Sequence, residues 1–245
     1  MNAMLQDSSR ADDVTSDTAA APESTAPHRL QVMVEPLESP RLSRSERKQL
    51  TRQALIDGTL DLLADRNFSG LSLRETARAA GIVPTAFYRH FDSLEDLGIA
   101  LVEESMRPVR AGLRDLRRGT DGGPRRDEAD ALIRRLVAEH PRRLRFLLRE
   151  QHGGTAEIRR AIDAELRLLT GELAIDLART APLARWSAVD IDTVAGLYLS
   201  AGIDGAADLL AAGDTDSEAY RTAADRLDLR LRIITAGTAA LAPTD

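Results

Sequence analysis

From Ser43 onward apolar side chains recur at three- and four-residue steps, the spacing that stacks them on one face of an α-helix. The first such stretch is expected from Ser43 to Arg66, with Leu55, Thr59, Leu62 and Leu63 inward and an S-x-x-E capping box from Ser43 to Glu46. A second box, Ser72 with Glu75, opens a short helix whose Leu73, Thr76, Ala77 and Ala80 share a side. Gly81 ends it, because glycine takes the left-handed conformation without steric cost. Pro84 then starts a further helix of about two turns, at the one position where no N–H is needed. At about 100° per residue, Phe87 and Phe91 lie one above the other and Thr85 and Arg89 lie opposite them. Two short helices joined by a tight glycine turn predict a helix-turn-helix.

Ser93 is the expected cap of the next helix, in which Leu94, Leu97, Leu101 and Val102 face that motif and Pro108 bends or breaks the rod. After the glycine-rich loop Gly119–Pro124, helical patterns resume at Arg126–His140, Arg142–Gln151 and from Thr155 to about Arg179. Ser187 with Asp190 and Thr215 with Glu218 are expected to cap two more. The first of these carries a stripe of small residues (Ala195, Gly196, Ala201, Gly202, Gly205, Ala206 and Ala207), the second Tyr220, Ala223, Leu227, Leu231 and Ile234. The stripes suit either a four-helix interface between two copies or the core of one chain.

The first forty residues break the pattern: four prolines, much Ser, Thr and Ala, and seven acids against two arginines predict an acidic tail without a core. Residues 41–91 reverse the sign, with nine Arg/Lys against five Asp/Glu in a chain of net charge −6. The basic segment is the one that carries the helix-turn-helix, as a nucleic-acid reader requires. With no cysteine, no run of 18 apolar residues and no basic-then-apolar leader, the protein is expected to be cytoplasmic and free of membrane. The four histidines stand in no zinc-ligand spacing, Gly153-Gly154 belongs to no phosphate loop and no G-x-S-x-G elbow occurs, so no metal, cofactor or catalytic group is expected.

With the phenylalanines inward, Thr85 and Arg89, flanked by Ala86 and Tyr88, present a hydroxyl, methyls, a guanidinium and a phenol to base edges and phosphates. The bland alternative is a helical hairpin whose Arg and Tyr are merely solvated. Residues 45–105 resemble the N-terminal DNA-binding domain of the TetR family of one-component bacterial regulators, with FYRHF, Phe87–Phe91, as the recognition-helix signature. Leu144–Leu166, Leu199–Leu210 and Leu231–Gly237 are similar to the FabR/DesT branch, repressors of unsaturated fatty acid synthesis that sense long-chain acyl-CoA. One departure is Leu94, which stands where the wider family has a lysine at the start of the fourth helix.

The resemblance implies an all-α, TetR-like fold. It has a tail and basic arm over 1–42, a three-helix DNA-binding domain over 43–92 and a helical ligand-binding and dimerisation domain over 93–241. It implies a homodimer on a palindromic operator and a small-molecule effector, long-chain acyl-CoA. The DNA contacts it implies are Arg41, Arg44, Lys48, Arg52, Ser72, Leu73, Arg74, Pro84, Thr85, Ala86, Tyr88, Arg89 and His90. For the effector, the aromatic-poor C-terminal region favours an aliphatic ligand, and the run Pro141–Glu150 alternates arginines with apolar residues in a way that suits a pocket mouth or a solvated amphipathic helix. Arg145, Phe146, Arg149, Glu150, His152, Trp186 and Tyr198 are the candidate ligand contacts. An efflux or catabolic regulator sensing another apolar molecule, and a helical interaction module that binds no DNA, remain the alternatives.

Overall fold

Serine hydroxyls set most of the helix starts in the computed structural model, which describes residues 43–241 apart from Asp65, 119–125 and 181–182. Arg41, the acidic tail and the loop Gly119–Pro124 lie outside the described residues. The head consists of α1 (Arg44–Leu62), α2 (Leu73–Ala79) and α3 (Pro84–Phe87); α4 (Leu94–Arg118) leads into a body of α5 (Arg126–Glu139), α6 (Pro141–Gly153), α7 (Ala156–Leu177), α8 (Ala188–Ala212) and α9 (Glu218–Ala240). No strand occurs among the described residues, and the fold is all-α.

Both head boxes close as expected. Ser43 Oγ accepts the Glu46 N–H at 3.1 Å while the Ser43 N–H donates to Glu46 Oε2 at 2.6 Å; Ser72 and Glu75 repeat the exchange at 3.3 and 3.0 Å. The Ser72 hydroxyl, then the Arg66 guanidinium 3.0 Å away, lower the pKa of the Glu75 carboxyl to about 2. Gly81 sits at φ 69°, the left-handed region that its place after α2 demands.

Four expectations need correction. Helix α1 stops at Leu62 rather than Arg66, because the turn that follows is held by groups from α6. Helix α3 is α-helical only over Pro84–Phe87 and continues to Phe91 through tight turns such as His90 N–H to Phe87 O at 2.8 Å. Helix α9 is capped by Ser217, whose hydroxyl accepts the Tyr220 N–H at 3.0 Å, and not by Thr215. Of the bend or break expected at Pro108, the break does not occur, and helix α4 continues through the proline. A proline at 108 cannot donate to the Glu104 carbonyl one turn back; Arg143 of α6 donates to that oxygen instead, at 2.7 Å.

One hydrophobic core runs without interruption from the head into the body. Leu55, Ile56, Phe68, Phe87 and Phe91 join Leu97, Leu101 and Val102 of α4 and Phe146, Ile158 and Ile162 of α6 and α7. Each such fully buried side chain contributes about 1.5–3 kcal/mol, so the head is fastened to α4 and α6 by packing rather than tethered by a linker. A second cluster joins α5, α6, α8 and α9.

Part of the small-residue stripe of α8 packs inside the chain, while a methyl added at Gly196 would meet nothing within 4 Å. Ala195, Ala201, Gly205 and Ala206 are buried, and so are Tyr220, Ala223, Leu227 and Leu231 of α9. What the two helices leave in solvent is Val189, Leu197, Leu229 and Ile233. By length and composition α8 is apolar enough to cross a bilayer; here it packs against α5, α7 and α9. A methyl added at Gly205 would lie 2.6 Å from Leu227 Cδ1, whereas one at Gly237 meets nothing within 4 Å. Gly205→Ala is therefore expected to lower stability by about 1–3 kcal/mol through overpacking, and Gly237→Ala to leave it unchanged or raise it by up to about 1 kcal/mol through helix propensity. Thermal unfolding checks the pair, and shifts of equal size and sign would contradict the packing described.

Candidate DNA-reading face and effector cavity

The reading face is produced by two rings that the sequence turns inward. Phe87 is 0% and Phe91 5% exposed, with ring centroids 5.8 Å apart. Their burial turns Pro84, Thr85, Tyr88 and Arg89 to solvent, with Tyr88 60% exposed; Ala86 and His90 are half-buried at its margin. Val83, which sequence reasoning did not single out, stands beside Pro84 at 63% exposure. Its methyls add an apolar contact of the kind that thymine methyls accept. The signal was present, since a residue before proline is held extended and cannot turn into the helix core.

Positive charge gathers around this face. The Arg52 guanidinium lies 4.9 Å from the centroid of the Phe91 ring, a cation–π contact that ties α1 to the recognition turn. Burial first, then the nearby charges of Lys48, Arg52 and Arg89, pushes the His90 imidazole below its ordinary range, and its Nδ1 is buried without a partner among the described residues. Lys48 and Arg52 of α1 thus lie near Arg89 and His90 of the turns that follow α3. Arg44 and Arg74 are exposed at the starts of α1 and α2, beside the half-buried Leu73 and the capping hydroxyl of Ser72. An exposed face that carries a guanidinium, a hydroxyl and a phenol with further cations beside it has the chemistry to meet phosphates and base edges.

A second site lies in the body. A cavity of ≈ 520 Å³ opens between α4, α5, α6, α7, α8 and α9. Its walls are aliphatic: Met106, Val109 and Leu113 from α4, Leu132 and Ile133 from α5, Leu144, Leu147 and Leu148 from α6, Leu166, Leu169 and Leu173 from α7, and Ile203 from α8. Tyr198 is the one aromatic residue in the wall, and its hydroxyl is 2.9 Å from Thr235 Oγ1. Gln151, Thr180 and Thr238 supply further polar atoms. Arg126, 3.3 Å from Asp228, is the guanidinium in the lining. Such a space takes an elongated aliphatic group with few polar atoms.

Of the seven candidate ligand contacts, the wall contains Tyr198 alone. Arg149 donates to the carbonyls of Leu63, Arg66 and Ala64 at 2.8, 2.9 and 3.1 Å, and Glu150 accepts the Phe68 N–H at 2.9 Å. Phe146 is buried in the core shared with the head, and Arg145 and His152 are exposed. Trp186 packs with Leu177, Leu183 and Ile191, its Nε1 buried without a partner among the described residues. Of the other arginines of α6, Arg142 pairs with Asp61 of the head and Arg143 reaches the Glu104 carbonyl of α4, and none of them lines the cavity. The wall residues of α4 and α7 were visible as apolar positions at helical spacing, but nothing local separates a cavity wall from a filled core.

Residues 55–101 match the sequence family described as bacterial regulatory proteins, tetR family. The whole fold is similar to that of a TetR-like transcriptional regulator from Rhodococcus sp. RHA1, at 23% identity and TM-score 0.57 over 80% of this chain and 100% of that one. It is similar also to AibR, solved with isovaleryl coenzyme A and operator DNA, at 18% identity and TM-score 0.55 over 73% and 96% of the two chains. A third likeness is to the fatty acid degradation regulator FadR from Bacillus halodurans, at 17% identity and TM-score 0.55 over 74% and 94%. The head of this chain thus carries the stretch that resembles the tetR family of bacterial regulatory proteins, and the chain as a whole has the TetR-like fold.

Proposed function

We propose that this TetR-type transcriptional regulator is a cytoplasmic homodimeric repressor of fatty acid synthesis or desaturation genes that responds to long-chain acyl-CoA. The observation that carries the DNA half is the burial of Phe87 and Phe91 beneath an exposed Thr85 and Arg89. For the effector half it is the aliphatic cavity, whose single aromatic wall residue makes it poor at stacking flat rings and well suited to an acyl chain. AibR, with its isovaleryl coenzyme A, and the fatty acid degradation regulator FadR add support at the level of fold. Val189, Leu197, Leu229 and Ile233, left in solvent on α8 and α9, suit a two-fold pairing of these helices with a second copy. Such a pair would present two α3 faces to a palindrome with half-sites about 34 Å apart.

One observation favours the second reading, a regulator of efflux or catabolism that senses a less polar molecule. Three of the α6 arginines, Arg142, Arg143 and Arg149, are engaged by Asp61, Glu104 and the carbonyls after α1, and Arg126 in the wall is paired with Asp228. Native mass spectrometry of the purified full chain separates the two. An acyl-CoA mass on the protein is the expected result, and an aromatic or uncharged apolar compound in its place would overturn the acyl-CoA assignment. For the DNA half, Arg89→Ala is expected to lose about 1–3 kcal/mol of discrimination between duplex from the chain's own upstream region and scrambled duplex. Unchanged discrimination in a binding titration would contradict the facing of α3.

A further inference from the structure

Helix α6 meets two partners on opposite sides. At about 100° per residue Leu144, Leu147, Leu148 and Gln151 fall on one side, and all four line the cavity. Arg142, Phe146, Arg149 and Glu150 fall on the other, and all four meet the head or the core it shares with α4. Pressure on the cavity side of this short helix is therefore delivered to the head across a single helix diameter.

The head side is built as a clasp. Arg149 donates three hydrogen bonds to the carbonyls of Leu63, Ala64 and Arg66, just beyond the end of α1. The last turn of α1 holds no basic residue of its own, so the guanidinium also answers the negative end of that helix. Its neighbour Glu150 is 1% exposed and accepts the N–H of Phe68, whose ring is buried in the head core. Two consecutive residues of α6 thus grip both ends of the turn that leads from α1 to α2. Helix α4 is tied to the same helix, since its carbonyl at Glu104, orphaned by Pro108, is bonded to Arg143 of α6.

We propose that Arg149 and Glu150 are positioning residues, touching neither DNA nor effector, that set the pose of α1 and α2 according to what fills the cavity. The inference rests on reading the cavity as the effector site, but its test needs neither the effector nor DNA. Gly202 lines the cavity from α8, where an added Cβ would sit 3.4 Å from Ile133 Cδ1 of α5, so Gly202→Leu adds volume to the cavity from the α8 wall. Amide hydrogen exchange is followed in the full chain at Leu63, Ala64, Arg66 and Phe68. Gly202→Leu is expected to change exchange there by roughly fivefold or more. In the Arg149→Gln background the same substitution is expected to have less than about a twofold effect, as coupled sites require.

Two results would overturn the proposal: no effect of Gly202→Leu in the otherwise native chain, or an effect that persists in full beside Arg149→Gln. The second is what a merely structural arginine would give, since its loss shifts the baseline and leaves the response intact. Should Arg149→Gln fail to fold, Arg149→Lys takes its place, keeping the charge while losing the planar fork that reaches three carbonyls. A failure of acyl-CoA to bind would bear on the proposed function and not on this result.

Discussion

The burial of Phe87 and Phe91 is the constraint on which the functional face depends. A helix of four residues cannot hold its own shape in water, because nucleating one turn costs more than its few hydrogen bonds return. What fixes Thr85 and Arg89 outward is the pair of rings wedged against α1 and α4, reinforced by the Arg52 guanidinium over Phe91. The reading surface is thus rigid because its underside is core, and any change that loosens the core loosens the register of the contacts with DNA.

The same continuity of packing joins the head to the body. A core running from Leu55 to Ile162 leaves no soft hinge between them, so a signal from the cavity has to be a shift of packed helices rather than the swing of a free domain. A ligand moves such an equilibrium only by its differential affinity for two arrangements. A cavity walled on different sides by α4, α6 and α7 offers a way to obtain that difference, since filling it is paid for in the spacing of helices that also carry the head.

What was legible in the sequence was local. The boxes at Ser43 and Ser72, the glycine at 81 and the two phenylalanines one turn apart concern groups within five residues of each other, and backbone geometry decides them alone. Where the sequence misled, the decisive partner was distant or the pattern degenerate. Arg149 and Glu150 read as pocket groups because nothing within reach of position 150 announces a backbone N–H at Phe68, 82 residues earlier. Thr215-x-x-Glu218 satisfies the capping-box spacing, yet Ser217 is two residues nearer the apolar run and takes the role. Small residues along α8 suit close approach of any helix, and Leu227 of the same chain takes the space at Gly205 while Gly196 stays open.

The face that α3 presents is the central claim, and in vitro selection from a pool of random duplexes tests it most directly. The full chain is expected to converge on one inverted repeat, with half-sites about one helical turn apart and binding that weakens steeply with salt. A selected pool no different from its input, or binding that follows duplex length without regard to sequence, would contradict the assignment of Thr85 and Arg89 to base edges.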